Sequence, residues 1–425
     1  MNAVLRLGYE GAGQLARALA LVAPASTNKL VETFALRRGV LDRFESFVRN
    51  ADQRLLWVHA PSVGEGLQAR PVIELVSERQ LNTQLAYTYF SPSAREFASR
   101  LPVDFADALP FDATSDMRRA LRALSPTALV FSKLDVWPTL AREASARGTR
   151  LGLISATLAR GSSRRTGVAS ALLRDAYARL DIVGAISADD ADRLISLGVP
   201  PSRVRVTGDT RYDQVWARAR AIDRASSLLR PITSDRPTLV AGSTWPADES
   251  VLLPAWSRVV AAIRGARLII APHEPTNAHL APIERWAQGA GLRVARLGAS
   301  AASDADVIIV DRLGVLGDVY ALATAAFVGG GFHAAGLHSV LEPAAYGAPV
   351  LFGPRHDASR DAQLLLDADA AVRVTNGGNL CDTLRRWLGT GDERDAAGEA
   401  ALRVVHLGLG AAERSYGIVA ALLGS

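Results

Sequence analysis

The sequence predicts an α/β protein built from two doubly wound, Rossmann-like domains that face each other across a cleft. Three observations carry this expectation. A chain of 425 residues exceeds what one ordinary core serves and suits two domains of roughly 200 residues each. Short apolar runs alternate with helical patterns in two successive series. The runs are too continuously apolar to be half exposed, which is how strands of a parallel sheet covered on both faces read.

In the first series LLWVHA (55–60), TQLAYTY (83–89), TALVFS (127–132), RLGLIS (150–155) and DIVGAIS (181–187) read as strands. Segments 66–79, 116–124, 137–147, 168–180 and 188–196 between them read as helices. After Gly208 comes TRYDQVWARARAIDRASSLLRPITSDRP, polar, arginine-rich and holding two prolines, which reads as the connection between domains. A second series follows: PTLVAGS, ARLIIAP, DVIIVD, AAFVGGG and APVLFGP. The end of the chain, 395–423, carries one long alanine-rich helical pattern. The expected division is an N-terminal domain over 1–215, a linker over 216–236, a C-terminal domain over 237–394 and a terminal helix over 395–425.

Composition narrows the chemistry. The formal net charge is +5, and Lys29 and Lys133 are the only lysines, so the positive charge is almost all arginine. That balance suits an acidic partner such as a nucleotide, a phosphorylated lipid or an anionic membrane face. No nucleic-acid-binding signature accompanies it, so no nucleic-acid partner is expected. A single cysteine, Cys381, excludes an internal disulfide framework, and without a signal-peptide pattern a reducing, cytosolic setting is expected. No run approaches the ~18 uncharged apolar residues of a spanning helix. Residues 1–35 hold Arg6, Arg17 and Lys29 with Leu15, Leu19 and Leu21, and Arg37 and Arg38 lie close by. This pattern reads either as a basic amphipathic element on a membrane surface or as a helix packed on its own domain.

Two stretches carry chemistry. HAPSVGEG (59–66) stands where a strand hands over to a helix, and Ser62-x-x-Glu65 has capping-box spacing. Glu65 reads as a helix cap or as a base, and spacing alone leaves both open. In FVGGGFHAAGLHSVLEPAAYGAPVLFGP (327–354) a strand ends in three glycines and a helix is expected near Ser339. Glycines let backbone approach a ligand, and free amides at a helix start favour phosphate, so this reads as a nucleotide phosphate cradle. Ser339-x-x-Glu342 repeats the capping-box spacing, and Glu342 could equally accept hydrogen bonds from two ribose hydroxyls.

HAPSVGE, the D-V-W-P of SKLDVWP, ISADDADRLISLGVPPSRVRVTGDTRYD, VAGSTW and FVGGG with HSVLEPAAYGAPVLFGP resemble, in this order, the motif series of the 3-deoxy-D-manno-octulosonic acid (Kdo) transferases. The resemblance runs from about residue 36 to about 375. It implies the GT-B fold and an inverting, metal-independent glycosyltransferase, with no cofactor beyond its substrates. It implies a nucleotide-sugar donor, CMP-Kdo, a phosphorylated glycolipid acceptor of the lipid A type, and a peripheral place on the anionic cytoplasmic face of the bacterial inner membrane. By the same resemblance Glu65 is the catalytic base. The donor site maps to the C-terminal domain at Ser243, Thr244, His273, Gly314, Gly330, Ser339 and Glu342, and the acceptor site to Ser62, Gly64, Lys133, Asp135, Arg160 and Arg164.

The residues are chemically consistent with those roles. Attack of a sugar hydroxyl on an anomeric carbon needs a carboxylate within hydrogen-bond reach, an effect of about 10² to 10⁴-fold. CMP leaves as a monophosphate whose charge backbone amides and a helix start can meet. Neither domain shows a D-x-D pair at a strand end: Asp189-Asp190 opens a helix and Asp304-x-Asp306 precedes a strand.

The chain also departs from the family pattern. Where the family shows E-x-E-x-W-P, this chain has Lys133 and Asp135, and the lysine reads either as a point charge for a phosphate or sugar carboxylate or as a partner of Asp135 or Asp112. The family's S-T-H is Ser243-Thr244-Trp245, its P-R-H-P is Pro272-His273-Glu274-Pro275, its M-G-E-L is Leu313-Gly314-Val315-Leu316, and Ser339 stands where asparagine is usual; His338 is retained. In the loop ATLARGSSRRTG (156–167), Arg160, Arg164 and Arg165 read as holders of acceptor phosphates or as solvated charges. A GT-B enzyme acting on a UDP-sugar and a non-catalytic, membrane-associated relative are the alternative functions.

Overall fold

The computed structural model describes residues 3–22, 29–159, 161–162, 164, 166–389 and 391–424. The chain forms two compact units, Met1–Gln214 with Leu409–Ser425, and Val215–Gly408. Each is built on a seven-stranded sheet whose neighbouring strands all pair in parallel.

In the first unit the strands are β1 (Arg54–His59), β2 (Thr83–Tyr89), β3 (Phe105–Ala108), β4 (Ala128–Ser132), β5 (Arg150–Ala156), β6 (Ile182–Ala185) and β7 (Val204–Val206). Their order is β3-β2-β1-β4-β5-β6-β7, so the chain winds outward from β1 one way and from β4 the other. Alternate side chains of β1 enter opposite cores. Leu55 and Trp57 pack with Met117 and Leu121 on one face, and Leu56 and Val58 pack with Val72, Ile73 and Leu422 on the other. Covering both faces makes the interior strands continuously apolar, as read from the sequence.

The second unit repeats the plan with β8 (Thr238–Thr244), β9 (Arg267–Pro272), β10 (Val294–Arg296), β11 (Val307–Ile309), β12 (Ala325–Val328), β13 (Val350–Phe352) and β14 (Ala371–Arg373). Their order is β10-β11-β9-β8-β12-β13-β14. Leu239 and Ala241 face one core and Val240 the other.

Two readings change. The pattern over 395–423 is not one helix: Gly391–Gly408 and Ala411–Leu423 are separated at Gly410, which takes φ +81. A left-handed residue cannot continue a right-handed helix, and glycine adopts it without steric penalty. The second helix belongs to the first unit. Asp213 fastens its start by accepting the amides of Gly410 at 2.7 Å and Ala412 at 2.8 Å. Gly152 and Gly184 make room for it, since a Cβ there would lie 2.5 Å from Leu422 Cδ1 and 2.9 Å from Ile418 Cδ1. The stretch read as a linker is folded as well: Arg211–Arg220 is helical, and Leu229 and Ile232 are buried in the second unit's core.

The N-terminal helix Ala3–Val22 packs on its own unit through polar contacts, with Tyr9 Oη donating to Asp112 at 2.8 Å and Arg17 pairing with Asp116 at 3.2 Å. Among the described residues no helix is long and apolar enough to cross a membrane.

Candidate functional site

In the first unit β1 runs into Ala60-Pro61-Ser62, and the helix Val63–Arg79 starts with Ser62 in extended conformation as its cap. The capping box is not formed. The Ser62 hydroxyl makes no bond to the backbone of the first turn; it donates to Glu65 Oε2. Glu65 Oε1 accepts from Lys133 Nζ at 3.2 Å. The Glu65 carboxylate therefore stands clear of its own helix's amides, 17% exposed, with one oxygen on a hydroxyl and the other on an ammonium. Of the two flanking glycines, only Gly66 is sterically required, because a Cβ there would meet Phe97 at 2.5 Å and Tyr87 Oη at 2.7 Å. Gly64 is exposed and a Cβ on it would meet only Ser62 Oγ, at 3.8 Å.

Lys133 follows the last residue of β4 and takes φ +68. Left-handed backbone costs a non-glycine residue roughly 1–2 kcal/mol. Its side chain is 40% exposed, and ion pairs as accessible as this contribute roughly 0–1 kcal/mol. The pair does not offset the strain, so the strand end is held by other bonds. Lys133 N donates to Ile154 O at 2.9 Å, and Ser132 Oγ donates to Glu65 O at 3.0 Å.

Both structural partners weighed for Lys133 are occupied elsewhere. Asp112 is buried and accepts the amides of Thr139 at 2.8 Å and Leu140 at 2.7 Å, capping the helix Pro138–Ser145. Asp135 is paired with Arg164, whose Nη1 also donates to Leu134 O at 2.9 Å. Arg164 thus braces the D-V-W-P loop, and it and Asp135 hold one another. Arg160 and Arg165 lie outside the described residues.

His59 joins the two motifs of this unit. Trp137 Nε1 donates to His59 Nε2 at 2.9 Å, and His59 Nδ1 lies 3.0 Å from Thr88 Oγ1, which also accepts from Trp57 Nε1 at 2.8 Å. Burial, with Arg37 nearby, pushes His59 down to about 3, so the ring is neutral and its Nδ1 carries the proton toward Thr88.

In the second unit the glycine loop is fastened to the helix Pro246–Ala262 by a residue the sequence reading missed. Asp248, fully buried, accepts the amides of Trp245 at 2.9 Å, Gly330 at 2.7 Å and Phe332 at 3.0 Å. The Gly330 amide, in the loop read as a phosphate cradle, is therefore engaged. The three glycines serve approach of backbone to backbone. A Cβ would lie 2.2 Å from Ser243 O at Gly329, 2.0 Å from Gly336 O at Gly330 and 2.4 Å from Gly353 N at Gly331.

Around this loop Ser243 takes φ +54, Thr244 Oγ1 donates to Glu249 at 2.8 Å, and Trp245 is stacked between His273 at 4.5 Å and His333 at 4.2 Å. Trp245 Nε1 donates to His338 Nε2 at 3.2 Å, and burial with His273 nearby lowers the affinity of His338 for a second proton. Ser243, Thr244, His273 and Gly330 are thus brought together.

No helix starts at Ser339, which is exposed; the helical turn is Leu341–Ala344, capped by Val340. Glu342 lies in a second group with Gly314, joined by Arg218, whose Nε pairs with Asp318 at 2.8 Å and whose Nη2 donates to Gly314 O at 3.1 Å. Burial pushes the Glu342 carboxyl up, Arg218 pulls it down and Asp318 adds to the rise. The Glu342 carboxylate has no hydrogen-bond partner among the described residues. No group of three or more His, Cys, Asp and Glu side chains among the described residues is placed to hold a metal ion.

A family model described as 3-deoxy-D-manno-octulosonic-acid transferase (kdotransferase) matches residues 35–214. A 3-deoxy-D-manno-octulosonic acid transferase of Bordetella pertussis is 31% identical over 366 residues, covering 81% of this chain and 82% of the relative. One from Haemophilus influenzae is 23% identical over 375 residues, covering 84% and 85%. Among solved structures, UDP-GlcNAc 2-epimerase from Neisseria meningitidis bound to UDP-GlcNAc superposes with a TM-score of 0.62 at 14% identity, over 87% of this chain and 99% of that one, a likeness of fold.

Proposed function

The chain belongs to the 3-deoxy-D-manno-octulosonic acid (Kdo) transferase family and is a glycosyltransferase of the GT-B fold, and from that premise we propose that it moves Kdo from CMP-Kdo to a phosphorylated lipid A precursor, with inversion, without a metal ion and with Glu65 as general base. The observation that carries this reading is the Glu65 carboxylate, held off its own backbone by Ser62 and Lys133. A carboxylate folded onto the helix amides would be spent as a cap; this one is presented by two side chains.

In the proposed step the acceptor hydroxyl oxygen attacks the anomeric carbon of Kdo. Its O–H bond breaks, the proton passes to Glu65, and the bond from the anomeric carbon to the CMP phosphate oxygen breaks with its electron pair leaving on CMP. The second unit supplies the donor residues. Glu342, with no hydrogen-bond partner among the described residues, suits acceptance of ribose hydroxyls, and Ser243, Thr244, His273, Gly330, Ser339 and Gly314 surround the nucleotide in this reading. The engaged Gly330 amide shapes the loop and does not itself bind phosphate. The excess of arginine supports a phosphorylated acceptor and a peripheral site on the anionic cytoplasmic face of the inner membrane.

The test is Glu65→Gln, nearly isosteric but unable to take up the proton. With CMP-Kdo and purified acceptor, transfer should fall by at least about 10²-fold while the melting-temperature rise caused by CMP is kept. Transfer at the wild-type rate would end the base assignment.

A further inference from the structure

The Glu65–Lys133 pair has features that the strength of the ion pair itself does not explain. The lysine adopts a left-handed backbone at φ +68 that a glycine would take without strain, and the ion pair it makes is too accessible to offset that strain. Strain kept at a strand end beside a reactive side chain marks a functional constraint. The residue type is informative too. Lys133 is one of two lysines in a chain whose other cationic side chains, histidine aside, are arginines. Arginine would grip both carboxylate oxygens as a fork, whereas an ammonium acts as a point charge on one. Here it holds Oε1 at 3.2 Å and leaves Oε2 to Ser62. An ammonium has three donors, and among the described residues Glu65 is the one partner of this one, whose side chain is 40% exposed.

We infer that Lys133 is a positioning residue whose ammonium holds the Glu65 carboxylate before reaction and passes to an oxyanion of the incoming substrate as that carboxylate takes up its proton. The inference rests on the reading of Glu65 as the base. Charge balance motivates the second half. Once Glu65 is protonated its negative charge is gone, and the ammonium beside it needs a new counter-ion. Lys133 itself remains an ammonium throughout; the proton travels from the acceptor hydroxyl to Glu65, and the electron pair leaves with the nucleotide. The oxyanion belongs to one of two sources, the carboxylate of the donor sugar or a phosphate of the acceptor.

The experiment uses the full chain with CMP-Kdo and a phosphorylated acceptor. Lys133→Gly removes the side chain and relieves the backbone. It should melt at or above the wild-type temperature while kcat falls at least tenfold and KM rises at least fivefold for one of the two substrates. The substrate whose KM rises carries the oxyanion. Lys133→Cys alkylated with bromoethylamine rebuilds an ammonium at nearly the same reach, and should regain most of the lost turnover, whereas the same variant capped with iodoacetamide should not. Cys381 is only 5% exposed and stays out of this chemistry.

Wild-type turnover in Lys133→Gly, a lowered melting temperature together with no rescue by aminoethylation, or equal activity of the two alkylated forms would each overturn the inference. A fall in kcat with both KM values unchanged would overturn the hand-over to substrate. If Glu65→Gln is inactive while Lys133→Gly is active, only the lysine assignment fails. If Glu65→Gln is active, the base assignment fails first and this one with it.

Discussion

Asp248 and Gly330, 82 residues apart in the chain, are joined by a hydrogen bond of 2.7 Å from the glycine amide to the buried carboxylate. The same carboxylate accepts the amides of Trp245 and Phe332, so one side chain caps a helix and anchors a glycine loop at once. The arrangement turns the loop amides inward and leaves its side chains, His333 above all, to face Trp245.

Removing that carboxylate should be severe. Asp248→Ala leaves three N–H groups without their acceptor, that of Gly330 buried and those of Trp245 and Phe332 partly so, and a buried unsatisfied donor costs about 1–3 kcal/mol. The expected loss is at least about 1–3 kcal/mol, read as an earlier unfolding transition for the second unit, with weaker CMP binding in what remains folded. A variant whose urea midpoint matches wild type would show that the loop is held by other contacts.

The altered donor motifs make nucleotide preference a sharp measurement. A ligand at 100 times its dissociation constant stabilises the folded form by about 2.7 kcal/mol, which for a unit of this size raises the melting temperature by several degrees. CMP should produce that rise and UDP a smaller one at equal concentration. A larger rise with UDP would replace the donor proposed above with a UDP-sugar.

How much of this was legible depends on where a segment sits. Ten interior strands, from LLWVHA to APVLFGP, were readable because both faces are buried and most of their residues are apolar. The four unread strands, β3, β7, β10 and β14, are the four sheet edges. Sequences such as Val204-Arg205-Val206 and Val294-Ala295-Arg296 are half covered and too short to show a period. At the site, spacing marked Ser62 and Glu65 but suggested a capping box that does not form, since the decisive partner, Lys133, comes from a different strand. Asp248 and Arg218 left no local signal, because what they hold is distant in the chain.

Glu342 gives a pH test. Burial raises its carboxyl above the unfolded value, so its contribution to stability is fully present below about pH 4.3 and is lost as pH rises through the folded value. Glu342→Gln removes that loss. Without nucleotide the variant should therefore gain on wild type between about pH 4 and pH 7, while binding CMP at least tenfold more weakly if the carboxylate holds ribose hydroxyls. A stability difference that does not change with pH, or unaltered CMP affinity, contradicts the corresponding half.

His59 titrates with the opposite sign. Its ring is held neutral by burial and by Arg37, down to about 3, whereas in the unfolded chain it takes a proton near pH 6.5. Between those values only the unfolded state binds the proton, so stability is present above about pH 6.5 and is lost as pH falls toward 3, at about 1.4 kcal/mol per pH unit. The facing groups on neighbouring elements are Thr88, Trp57, Trp137, Phe131 and Arg37, and none is an acid that could receive the imidazolium. His59→Gln keeps an acceptor for Trp137 and a donor for Thr88 but cannot take up a proton in this range. Wild type should lose about 2 kcal/mol more than this variant between pH 7.5 and pH 5, read from urea midpoints at constant slope. Titrations common to both proteins cancel in that difference, and parallel curves would mean that the ring is reached by protons in the folded state.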